Sequence, residues 1–110
     1  MRIFKYPLYY YSVPEIVRLP KGAQITTFGF QLNNNPKTVM WALVEENNEI
    51  EERIFKLVMT GHSIGGEVKL IYNTIEMPNG IVLTLVEVSG VKGNDPEKDD
   101  RIKKQKYGIE

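Results

Sequence analysis

Apolar residues recur along this chain in short runs that alternate with polar positions and are cut by Gly, Pro and Asn, the pattern of β-strands rather than of a helical period. Residues 3–11 form the first run, interrupted by Pro7; a proline cannot donate to a ladder and so marks an edge strand or a bulge. Pro14 makes a second break. Residues 23–32 put Phe28, Phe30 and Leu32 on one face, with Gly29 as a bulge or a point of close approach, and Asn33-Asn34-Asn35-Pro36 ends the run. Residues 38–44 are apolar on both faces, Val39, Trp41 and Leu43 alternating with Met40, Ala42 and Val44, which predicts a central strand covered on both sides. Residues 45–53 carry five glutamates and read as a solvated connection, and residues 54–59 read as a strand. Residues 68–77 and 81–88 flank Pro78-Asn79-Gly80, whose Asn-Gly pair predicts a tight hairpin of type I′.

These runs predict an all-β domain of about six strands over residues 1–91, a small β-sandwich or partly closed barrel. Residues 92–110 mix both charge signs with little apolar content and read as a flexible charged C-terminal tail, disordered or forming a short helix around 99–106. A domain of this size buries only a modest share of its surface, and Trp41 with Tyr6, Tyr9, Tyr10 and Tyr11 offers large rigid area for a core corner or an interface, so a homo-oligomer is expected.

Composition narrows the function classes. Lysine plus arginine equals aspartate plus glutamate at 14 each, so no long-range field announces general nucleic-acid binding. There is no cysteine, hence no disulfide, thiolate nucleophile or cysteine-based metal site, and a reducing, cytoplasmic setting is expected. No run is long and apolar enough for a secretion signal or a membrane span. One histidine without a nucleophile elbow leaves only Ser12 or Ser63 beside His62 as a catalytic pair, so a non-catalytic protein without cofactor is expected. His62 and Glu67 lack any diagnostic metal-ligand spacing, and no metal site is expected.

The chemistry concentrates in Thr60-Gly61-His62-Ser63-Ile64-Gly65-Gly66, a break between two apolar runs that holds the chain's only histidine, two hydroxyls and three glycines. Glycines let several backbone N–H groups turn toward one anion, and the hydroxyls and imidazole add donors. The bland alternative is a glycine-rich corner whose hydroxyls cap backbone groups. In the functional reading, Thr60, Gly61, His62 and Ser63 with the Gly65 and Gly66 amides hold a phosphate or a base edge. Tyr6 or Trp41 stacks on a nucleobase, and Lys5, Lys21 or Arg53 neutralises charge. Trp41, inside a two-faced strand, reads first as a core residue; Tyr6 beside Pro7 is placed for an exposed rim.

Read together, Lys5-Tyr6-Pro7-Leu8, Leu19-Pro20-Lys21-Gly22-Ala23, Trp41-Ala42-Leu43-Val44 and Thr60-Gly61-His62 resemble a family of small uncharacterised proteins from phage and bacterial genomes. The likeness spans most of residues 3–88. It departs at Ser63, where the family pattern often has proline, and at Asn73, where a glycine is usual. The resemblance implies a phage or prophage origin and, by analogy, a protein that binds something its host needs. The expected function is capture of a phosphate-bearing small molecule, a cyclic or linear nucleotide signal of antiviral defence, in the cytoplasm of the infected or lysogenic host. The competing expectation is a protein-interaction module that docks through the aromatic strands or the tail.

Overall fold

The computed structural model describes residues 1–102, folded as seven strands in two antiparallel sheets that pack face to face without closing into a barrel. In chain order these are β1 (Arg2–Pro7), β2 (Glu15–Pro20), β3 (Gln24–Phe30), β4 (Thr38–Val44), β5 (Ile50–Met59), β6 (Glu67–Glu76) and β7 (Val82–Ser89). The smaller sheet has the order β1-β4-β3 and the larger one β2-β5-β7-β6. A 3-10 turn, Pro96–Lys98, follows.

Alternation along each strand sorts side chains between the two faces. Phe28, Met40, Ala42 and Val44 point inward from the small sheet to meet Val17, Leu19, Phe55, Leu57, Leu83 and Leu85 of the large one, a core completed by Leu8, Ala23 and Met77. β7 is apolar on its other face as well: Val86 and Val88 join Val58 in a second, smaller cluster on the outside of the large sheet, covered by Ile54, Ile64 and Val91.

Three expectations change. β2 is a strand in a segment that the flanking Pro14 and Pro20 disguise; its Glu15, Val17 and Leu19 are buried while Ile16 and Arg18 are half-buried, and as a sheet edge it tolerates a terminal proline. The connection read at 45–53 ends early, because β5 begins at Ile50 and pairs Glu51 and Glu52 with Leu19 and Arg18 of β2. The β6–β7 hairpin is present, but Pro78 fixes a negative φ at its first central position, and of the turn residues only Gly80, at φ 88°, has a positive one; a type I′ turn needs two.

Residues 92–102 lie against β2. The Ile16 amide donates to Asn94 O at 2.9 Å and the Asn94 amide to Pro14 O at 2.8 Å. Arg18 clamps Asp95 through two hydrogen bonds of 3.0 and 2.7 Å, and Ile102 is buried. The remainder of the helix expected around 99–106 lies outside the described residues.

The loop between β1 and β2 is tied down from beneath by Glu15. Its carboxylate, 3% exposed, accepts from the Tyr9 amide on both oxygens at 3.0 Å and from the Tyr10 amide at 3.2 Å. Desolvation dominates over these bonds and pushes the Glu15 carboxyl up to about 7. Tyr10 and Tyr11 anchor the same loop through Asp99 and Thr38, at 2.8 and 3.1 Å.

Candidate functional site

The loop after β5 is built on an apolar anchor. Ile64 folds back onto Val58, Val86 and Val88, so the chain leaves Met59, turns outward and returns. A turn bond from the His62 amide to Met59 O at 3.0 Å closes its first corner. Gly66, at φ 73°, passes so close to β7 that an added Cβ would meet Val91 Cγ1 at 2.6 Å and Ser89 O at 2.8 Å. Glycine is therefore required there by space as well as by conformation.

On this anchor stands an exposed His62 whose Nδ1 lies 3.3 Å from the Ser12 hydroxyl. Ser12 belongs to the Glu15-tied loop fifty residues earlier in the chain, and it is the one non-glycine residue with positive φ, 62°, among those described. With Ser12 donating to Nδ1, the Nε2–H faces outward as a donor. Among the described residues no carboxylate bonds to His62, so the Ser12–His62 pair lacks the orienting acid of a triad.

Charge at the loop comes from Lys56, whose ammonium donates to Ser63 O at 3.1 Å and Ile64 O at 2.6 Å and makes no ion pair with a carboxylate among the described residues. The amides of Ser63, Ile64, Gly65 and Gly66 make no hydrogen bond to another group among those residues. An ammonium, an imidazole, two hydroxyls and unspent N–H groups thus share one exposed loop, the donor set of an anion site.

The other residues singled out from the sequence lie elsewhere. Lys5 and Trp41 are cross-strand partners on the outer face of the small sheet, away from the core, and Trp41 rests its indole on Gly29, 3.5 Å from where a Cβ would stand. Trp41 is therefore half-buried on a solvent-facing sheet rather than sunk in the core. Lys5 donates to Gln31 Oε1 and Asn34 Oδ1, both at 2.9 Å. Tyr6 faces the other way, packing against the core, where burial pushes its phenol up, so it is not on an exposed rim. Lys21 pairs with Glu49 at 3.9 Å.

Arg53 is not available to a ligand either. Its guanidinium holds the buried Glu87 through two 2.9 Å bonds, donates to Ala23 O and lies 5.4 Å over the Phe55 ring. Tyr72 completes this network by donating to Glu87 at 3.0 Å. Of the cations weighed from the sequence none reaches the loop; Lys56 does, and its position four residues before Thr60 on the outward face of β5 was the signal that pattern reading passed over.

Among the described residues no group of three His, Cys, Asp or Glu side chains is arranged to hold a metal, and no helix is long and apolar enough to cross a membrane.

A model of a domain of unknown function, DUF7352, matches residues 1–93. The chain belongs to that family. The matched span takes in both sheets and the His62 loop and stops before Asn94, so the segment docked on β2 falls outside it. No curated protein and no solved structure matches the chain.

Proposed function

We propose that this DUF7352 protein is a non-catalytic phage accessory protein that captures a phosphate-bearing small molecule at the His62 loop and so sequesters a nucleotide second messenger of host antiviral signalling. The observation that carries the reading is the meeting of His62, Ser12 and the Lys56 ammonium with unspent amides of residues 63–66 in one exposed loop whose cation has no carboxylate partner among the described residues. Such a loop favours an anion, and the near-zero net charge of the chain restricts that preference to the site. In this reading the protein works in the host cytoplasm as a homo-oligomer, in which a second copy brings the Trp41 of its small sheet to the base held at the loop.

The test is co-purification. Protein drawn from infected or messenger-producing cells carries excess absorbance near 260 nm that denaturation releases as a nucleotide, and nucleotide added to stripped protein raises its melting temperature. Protein that is clear at 260 nm and indifferent to mono-, di- and cyclic oligonucleotides sinks the reading.

The interaction-module reading is favoured by a different observation. The outer face of the small sheet presents Ile3, 61% exposed, with Pro7, Trp41 and Leu43 half-buried, an apolar surface of the kind that partners cover. Its distinguishing result is a host protein partner held by the parent and lost in Trp41→Ala, with no nucleotide bound by either protein.

A further inference from the structure

A cavity of about 330 Å³ lies between the end of β1, β2 and the segment that follows Gly93. Tyr6, Tyr9, Val17 and Ile102 give it aromatic and apolar walls, while Glu15 and Glu97 bring carboxylates to it. Its volume lies at the small-ligand end of the usual range for binding pockets.

Among the described residues its wall carries more acid than base. Arg18 is the only cation of the wall among the described residues. It is already committed to Asp95 at 2.7 Å, Glu52 at 3.1 Å and Glu97 at 3.6 Å. Three carboxylates share one guanidinium, and Glu15 adds a fourth acid that pairs with no cation among the described residues. The Tyr9 phenol reports the same field, pushed up by burial and then by Glu15 and Glu97. A phosphate is repelled here; a cation is drawn in.

We propose that this cavity binds a small organic cation with an apolar or aromatic body, its ammonium group seated at the Glu15 carboxyl and its body between Tyr6, Tyr9, Val17 and Ile102. Two tyrosine rings beside a buried carboxyl are a combination that recognises alkylammonium groups, by ion pairing and by the ring quadrupole. The site is separate from the His62 loop and takes ligands of opposite charge.

Binding is coupled to a proton. Glu15 is held up to about 7 by desolvation, so near neutral pH a share of the carboxyl is protonated, and an arriving ammonium stabilises the ionised form and expels that proton to the buffer. The titratable groups that line the cavity with Glu15, among the described residues, are Tyr6 from β1, Tyr9 from the loop, Arg18 on its own strand and Glu97 from the 3-10 turn; the Tyr10 amide bonds to Glu15, and Asp95 and Glu52 pair with Arg18. Of these the tyrosines are pushed up and Asp95 is pulled down to about 2, away from neutral pH.

Calorimetric titration of the full chain with 2-phenylethylamine, and with 2-phenylethanol as its neutral counterpart, tests this. The amine binds at least about tenfold tighter than the alcohol. Its affinity falls about tenfold from pH 8 to pH 6, and its apparent enthalpy at pH 7 changes with the ionisation enthalpy of the buffer. Glu15→Gln erases the preference for amine over alcohol, while His62→Ala leaves it intact. Should Glu15→Gln not fold, the buffer dependence of the unaltered protein decides alone. Equal binding of amine and alcohol, binding of neither at millimolar concentration, or amine binding without proton release overturns the proposal.

Discussion

The Asn73 side-chain amide stands in for a missing β-strand against Phe28: the Phe28 amide donates to Asn73 Oδ1 at 3.1 Å, and Asn73 Nδ2 donates back to Phe28 O at 3.2 Å. β3 and β6 are edge strands of different sheets, and this reciprocal pair closes the seam between them where β6 slips register between Ile71 and Thr74. Removing it leaves the Phe28 amide without a partner at the rim of the core and its carbonyl with only the Thr27 hydroxyl, at 3.4 Å. Asn73→Ala is expected to cost roughly 1 to 3 kcal/mol in urea unfolding. Unchanged stability would mean that water serves these groups equally well.

Glu15 makes stability depend on pH in the direction opposite to most carboxylates. Its folded value of about 7 lies above the ordinary 4.5, so its contribution is fully present below pH 4.5 and is lost as pH rises through 7. Across pH 5 to 8 the unaltered protein should lose stability relative to Glu15→Gln by an amount approaching about 3 kcal/mol, read from parallel denaturation curves. Parallel pH profiles for the two proteins would contradict this.

Asp95 behaves in the usual sense. Arg18 holds its carboxyl down to about 2, below the ordinary 3.8, so this clamp is present above pH 3.8 and is lost as pH falls through 2. Arg18→Ala should release the segment from Asn94 to Ile102 while the sheets stay folded. Hydrogen exchange is expected to rise in that segment, with little change in β5 and β7.

In the buried Arg53–Glu87–Tyr72 network, losing the central carboxylate and losing the phenol carry unequal penalties. Glu87→Leu strands the Arg53 guanidinium and should destabilise by roughly 3 to 5 kcal/mol. Tyr72→Phe removes one hydrogen bond to a carboxylate that keeps its arginine, at a cost of about 1 kcal/mol in chemical denaturation.

Much of this architecture was legible in the chain. The two-faced run at Thr38–Val44 is the middle strand of its sheet, Gly29 is a point of close approach, and the Pro78-Asn79-Gly80 hairpin joins β6 to β7. β2 escaped because its alternation runs through a buried glutamate and is bracketed by prolines, which pattern rules read as punctuation. Trp41 was misplaced because apolar residues on both faces of a strand predict burial on both, whereas the outer face of the small sheet is left partly open. At the His62 loop the histidine and glycines were visible, but Ser12 and Lys56 were not. Ser12 arrives through a contact spanning fifty residues, and Lys56 looks like an ordinary solvated position until the loop folds back over it.

Anion capture at the His62 loop can be followed residue by residue in an amide-resolved NMR titration with a nucleotide panel that includes cyclic di- and trinucleotides. Saturable shifts concentrated at Ser12 and at residues 60–66 are expected, with affinity reduced at least about tenfold in His62→Ala and Lys56→Ala while both variants keep the parent's dispersed spectrum. Shifts centred away from the loop, or equal affinity in those variants, would contradict it.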